Sequence, residues 1–114
     1  MDAETLAFTP AVELAGLIRQ KKLSPVELMS ALLQRIEALD PRINAFAYLA
    51  ADAAMEAAKR AETALMRDER IGRLHGIPAT IKDLAITKDM PTQMGSNIFA
   101  GNRPSEDTPV VPRL

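Results

Sequence analysis

Residues 74–83 read Leu74-His75-Gly76-Ile77-Pro78-Ala79-Thr80-Ile81-Lys82-Asp83. Ile77, Ala79 and Ile81 alternate with Pro78, Thr80 and Lys82, which is the two-residue period of a strand. The run predicts a short strand that leaves a Gly-Pro turn and ends on a lysine. Punctuation around it is dense. Gly72, Gly76, Pro78, Pro91, Gly95, Gly101, Pro104, Pro109 and Pro112 all follow Arg70, so any strand here must be short. From residue 89 to residue 109 little regular structure is signalled. A loop of that length is uncommon unless it is functional or covered by other parts of a protein.

Upstream of Arg70 the pattern is helical. Thr9 before Pro10 reads as an N-cap with proline at the first helical position. Leu14, Leu17 and Ile18 then share one face of a short helix expected to end near Lys21-Lys22. Two lysines in a last turn suit the negative end of a helix dipole. Ser24-Pro25-Val26-Glu27 has the spacing of a capping box, with Met29, Leu32, Leu33 and Ile36 as the buried stripe behind it. Asp40-Pro41 is expected to stop this helix, because a residue before proline is pushed out of the α region. Ala45-Phe46-Ala47-Tyr48-Leu49 is a short β-prone run. An alanine-rich helix is expected over residues 51–67, with Ala54, Ala58, Ala61 and Leu65 on one face. That periodicity reads as a close-packed helix contact rather than a ligand site. Glu56, three and four residues before Lys59 and Arg60, supports the opposite, exposed face.

Composition narrows the function classes. The balance of 14 basic against 15 acidic residues lacks the excess that a nucleic-acid surface needs, so no nucleic-acid partner is expected. Zero cysteines remove disulfides, thiolate nucleophiles and most structural zinc sites, and the single His75 precludes a multi-histidine metal site. Neither a metal nor another cofactor is expected. Met1-Asp2-Ala3-Glu4-Thr5 lacks the charged and apolar regions of a secretory signal, and no apolar run is long enough to span a bilayer. The expectation is a cytoplasmic protein without a membrane partner.

Residues 74–96, continuing through Leu84-Ala85-Ile86 to Pro91-Thr92-Gln93-Met94-Gly95-Ser96, resemble the amidase signature family. The wider order is similar to the start of those enzymes: helix, Ser-Pro cap, long helix, Ile43-Asn44-Ala45-Phe46, alanine-rich helix, lysine strand. Glu106-Asp107-Thr108 and Val110-Val111 resemble the step into the next family helix, although Pro112 falls inside that helix start. The resemblance implies an α/β fold, a mixed sheet flanked by helices on both sides. To that fold this chain would contribute the helical flank and the first strand, being itself mainly α. It implies an amino-terminal fragment of a single amidase domain, residues 1–70 helical and residues 71–114 carrying the lysine strand and loop. The remainder of the domain would be absent.

The family hydrolyses amides with a Ser-cis-Ser-Lys triad, and Lys82 occupies the lysine's position. A serine hydroxyl is a poor nucleophile until a base takes its proton, and an ammonium cannot accept one. Lys82 would therefore have to be neutral for part of the cycle. It would take a proton through the bridging cis-serine while the second serine attacks the carbonyl, and water would later release the acid from the acyl-enzyme. Both serines and the oxyanion-hole amides lie in a Gly/Ser-rich segment that does not occur before Leu114. On this reading Lys82 is the one catalytic residue present, and the chain alone is inactive.

Each residue also has a plainer reading. By spacing alone, a lysine after an isoleucine is a solvated strand end. Asp83 either pairs with Lys82 or anchors the following loop through backbone hydrogen bonds. His75 belongs to the turn. Ser24 is committed to a cap, Ser30 lies mid-helix, and neither Ser96 nor Ser105 sits in a nucleophile elbow. Gly72, Gly76 and Gly95 lack the strand-loop-helix context of a phosphate-binding fingerprint.

Three functions follow for comparison. One is an amidase acting on a small-molecule amide. Another is the A-type component of a glutamyl-tRNA(Gln) amidotransferase, which shares the fold, receives ammonia made from glutamine and works on charged tRNA. That component usually carries Asn after Lys-Asp and a Cys-Ala-Ser-like run further on, where this chain has Leu84 and Gln93-Met94-Gly95-Ser96. The third is a non-catalytic helical module whose alanine face binds a partner helix. A homo-oligomer is also expected. The isolated piece should in addition self-associate, because an orphan strand and long loop after Arg70 would leave exposed the apolar surface that the rest of the sheet covers.

Overall fold

The computed structural model of the protein describes all 114 residues, as two compact units. Unit 1 comprises Met1–Ile43 and Ala51–Pro78, and unit 2 comprises Asn44–Ala50 and Ala79–Leu114. Unit 1 holds four helices: α1 (Ala3–Phe8), α2 (Ala11–Arg19), α3 (Pro25–Ile43) and α4 (Ala51–Met66).

α1 begins where the Asp2 carboxylate accepts the Thr5 N–H at 2.8 Å, a bond that holds the Asp2 carboxyl below its usual range. Thr9 closes this helix rather than opening the next: its N–H and its hydroxyl both donate to the Thr5 carbonyl, at 3.0 and 2.7 Å. Pro10 is the N-cap of α2 instead, its carbonyl accepting from Glu13 and Leu14. The cap falls one residue later than the sequence suggests because α1 precedes it and Thr9 satisfies a carbonyl of that helix.

α2 ends at Arg19, slightly before the expected lysine pair. Lys21 takes a left-handed φ of 57°, its N–H donates to Ile18 and that of Lys22 to Leu17, the double bond pattern of a Schellman cap. α4 closes identically, with Asp68 at φ 53° and bonds from Asp68 to Leu65 and from Glu69 to Ala64. A lysine and an aspartate thus occupy positions that glycine usually fills, and their side chains form an ion pair of 2.8 Å. Both partners are solvent-accessible, so the pair contributes at most about 1 kcal/mol.

The Ser24 hydroxyl accepts the N–H groups of Val26 and Glu27 at 3.0 and 3.1 Å, as a cap should. Glu27 itself stays exposed, and the carboxylate that Ser24 bonds is Glu62 of α4, so the cap also ties two helices together. α3 does not stop at Asp40-Pro41 but runs to Ile43. A proline this close to a helix end forfeits a single backbone bond, in a turn whose last carbonyls are unpaired in any case. The expected stripe of Met29, Leu32, Leu33 and Ile36 is only half-buried, and the deepest α3 side chain is Leu28, with no exposed surface. The alanine face of α4 behaves as read: Ala58 and Leu65 are buried, Ala54 and Ala61 half-buried, and α4 packs on α3. On the opposite face Lys59 bonds Glu56 at 2.7 Å and, through that hydrogen bond, keeps the Glu56 carboxyl below its usual range.

Leu6, Leu14, Ile18, Leu23, Leu28 and Leu65 form the core, with Ile71 and Ile77 packed against it. The segment before the lysine run is stitched to the helices at several points. Arg19 donates to the Gly72 carbonyl at 2.9 Å, and the His75 Nε2 meets the Ala61 carbonyl at 2.8 Å. Gly76 turns the chain at φ 76°, where a Cβ would lie 2.9 Å from the ring Cγ of Pro25, itself buried. A proline ring cannot yield as a flexible side chain would. Gly76→Ala should therefore cost about 2–4 kcal/mol in a urea titration, left-handed strain and overpacking acting together. Gly72→Ala meets nothing within 4 Å and needs no unusual φ, so it should stay within about 0.5 kcal/mol of the parent in the same titration.

Unit 2 contains no α-helix, only 3-10 turns at Asn97–Phe99 and Val111–Arg113. The expected strand at residues 77–82 does not form, nor does one at Ala45–Leu49, so the chain is mainly α. The period-two alternation at residues 77–81 is real, but a strand is defined by the neighbour that pairs its backbone, and these residues have none. The long loop expected from residue 89 onward is present. Its scaffold is polar: Thr87 and Thr92 are the buried polar residues, Thr92 being 1% exposed, and every buried hydrophobic side chain belongs to unit 1.

Candidate active site

Lys82 begins a turn in which its carbonyl accepts the Ala85 N–H at 2.9 Å. Its side chain is exposed, and its ammonium takes part in neither the Lys21–Asp68 nor the Lys59–Glu56 ion pair. Asp83 resolves the two alternatives left open for it. Its Oδ1 accepts the Gln93 N–H at 2.8 Å and its Oδ2 the Gly95 N–H at 3.1 Å, while its carbonyl accepts from Met94 at 3.2 Å. The aspartate anchors the loop and does not pair with Lys82.

The loop it holds is itself closed. The Thr92 N–H donates to the Asn102 carbonyl at 2.9 Å, and the Asn102 side-chain amide returns a bond of 3.0 Å to the Thr92 carbonyl. Inside, the Gln93 side chain accepts from the Gly101 N–H at 3.1 Å. The Thr92 hydroxyl faces the other way and accepts the Thr87 N–H at 3.2 Å. A compact loop with its ends tied in this manner is a common carrier of function. Sequence reading misses Gln93, Thr92 and Asn102 as loop-closing residues, because reciprocal side-chain bonds over ten positions leave no periodic signal.

The serines divide as expected. Ser96 caps the 3-10 turn by accepting the Ile98 N–H at 3.3 Å, Ser105 lies in an exposed bend, and Ser24 is occupied in the α3–α4 link. His75, half-buried and bonded to a helix carbonyl, fills the structural role assigned to it. No cluster of three or more His, Asp or Glu residues is placed to hold a metal ion. No helix is long and apolar enough to cross a membrane. An open groove of about 320 Å³ on α4, lined by Lys59, Arg60, Thr63, Ala64, Arg67 and Glu69, contains none of the residues 74–96.

The amidase family profile matches residues 27–114, and the chain belongs to that family. Over all of its length it is 38% identical to a Mycobacterium tuberculosis protein named "Putative amidase AmiD", of which it covers 24%. It is 42% identical over 104 residues to the A-type component of the glutamyl-tRNA(Gln) amidotransferase of Acidothermus cellulolyticus, covering 91% of this chain and 21% of that one. The corresponding component from Salinispora arenicola is 40% identical over 109 residues, covering 96% of this chain and 22% of the relative. The chain thus spans about a quarter of the length of these relatives. No solved structure matches.

Proposed function

We propose that this chain is the amino-terminal part of an amidase that converts a small carboxamide to a carboxylic acid and ammonia, with Lys82 as the base of a Ser-cis-Ser-Lys triad. The observation that carries the reading is the amidase family match over residues 27–114, which includes the Leu74–Asp83 run ending at Lys82. The one carboxylate next to that lysine is engaged by the Gln93 and Gly95 amides. The remaining polypeptide supplies the two serines, the oxyanion donors and the rest of a mixed sheet in which residues 77–82 find a pairing partner.

The lysine amine takes the proton of the bridging serine, which takes that of the nucleophilic serine as the latter attacks the amide carbon. Backbone N–H groups stabilise the oxyanion, typically the largest electrostatic contribution in such chemistry. The same proton returns along the relay to the departing nitrogen, and ammonia leaves an acyl-enzyme. Water, deprotonated by the same relay, cleaves the ester and regenerates the serine. No metal or cofactor takes part, and the enzyme works in the cytoplasm as a homo-oligomer.

The amidotransferase component remains the second reading, since relatives of both names match with similar identity. Leu84 after Asp83, and Gln93-Met94-Gly95-Ser96 in place of a Cys-Ala-Ser-like run, favour the amidase. The third reading loses its surface, because the alanine face of α4 is already packed on α3. The whole protein should release ammonia from small aliphatic or aromatic carboxamides with no tRNA present. Conversion of glutamyl-tRNA to glutaminyl-tRNA, without free carboxamide hydrolysis, would replace the amidase reading with the amidotransferase one.

A further inference from the structure

Three successive backbone amides, those of Gln93, Met94 and Gly95, converge on Asp83, the residue next to Lys82. Bringing them to one residue requires Met94 at φ 54° and Gly95 at φ 64°. Left-handed geometry costs a non-glycine residue about 1 kcal/mol, so the turn at Met94 is held by its bonds rather than by its own preference. The far end of the loop is closed by Thr92–Asn102 and Gln93–Gly101.

This clamp has two consequences for the lysine. A carboxylate beside an amine favours the ammonium form, which cannot act as a base. Here both carboxylate oxygens face N–H donors and no ion pair with Lys82 forms. The backbone at residue 83 is also joined to a loop ten residues onward, so the lysine stem leaves from a fixed point. Aspartate suits the position because each of its oxygens accepts an N–H. An asparagine would aim its NH₂ group at one of the two N–H donors and lose that bond.

We propose that Asp83 is a positioning residue: by binding the Gln93 and Gly95 amides it fixes the point from which Lys82 reaches its proton and keeps its own charge out of an ion pair with that lysine. The inference rests on the amidase reading above. In the whole enzyme, Asp83→Ala should lower kcat by about 10- to 100-fold, the scale of a misplaced catalytic group, while KM moves less than about threefold. Asp83→Asn keeps one acceptor and should recover at least about a third of the parental kcat, which also guards against an alanine variant that fails to fold.

In a Lys82→Ala background the alanine change should cost less than about twofold in residual hydrolysis of an activated ester, since a role exercised through Lys82 disappears with it. In the 114-residue chain, exchange of the Gln93 and Gly95 amides should accelerate in Asp83→Ala. Parental kcat in Asp83→Ala, an equal penalty in the Lys82→Ala background, or unchanged exchange would each overturn the inference while leaving the amidase reading intact. A parent enzyme that hydrolyses no carboxamide would instead remove the amidase reading, and this inference with it.

Discussion

Lys82→Ala in the whole enzyme should reduce kcat/KM for carboxamides by about 10²–10⁴-fold, the range associated with loss of a general base. The serine relay then has no terminal acceptor, and the nucleophile stays protonated. In the 114-residue chain the same change should alter stability by no more than about 0.5 kcal/mol, because the side chain is exposed there. Lys82→Arg should be nearly as damaging, since a guanidinium keeps its proton at any working pH. The two substitutions together separate base catalysis from electrostatics. An arginine variant with ordinary turnover would show that Lys82 only supplies charge, and the triad assignment would fail.

An all-or-none result is expected from the 114-residue chain itself. It should neither hydrolyse aliphatic or aromatic amides nor react with a serine-directed fluorophosphonate. A base without a nucleophile cannot form an acyl-enzyme, and base assistance to water without an oxyanion hole is slight. Two of the four serines are otherwise engaged: Ser24 bonds Glu62, and Ser96 accepts from Ile98 in a turn cap. Fluorophosphonate labelling at Ser96 that vanishes in Lys82→Ala would mean a self-contained Ser-Lys hydrolase and would end the reading of Lys82 as the base of a Ser-cis-Ser-Lys triad. Amide hydrolysis restored by adding the downstream polypeptide in trans would support it.

Where sequence reading and structure part company, the cause is local in each case. Thr9-Pro10 looks like the start of a helix because proline favours a first turn, yet Thr9 is needed by the preceding short helix. Asp40-Pro41 looks like a stop, yet three more helical residues follow at the cost of one bond. Ser24-Pro25-Val26-Glu27 is a true cap whose carboxylate partner is Glu62, a helix away in sequence. The strand at residues 77–82 is legible as alternation but does not form here, since pairing is not a property of one segment.

By itself the sequence determined the helical part, the alanine contact face, the family and the candidate lysine. Periodicity, capping residues and the residue order around Lys82 act over a few positions, where the chain's own stereochemistry decides. The tertiary structure alone decided that Asp83 serves the Gln93–Gly95 turn rather than Lys82, that His75 bonds Ala61, and that Gly76 must lack a side chain against Pro25. Those contacts join residues 10 to 51 positions apart, and spacing along a chain carries no record of which distant hydrogen-bond donor or packing surface arrives to meet a given group.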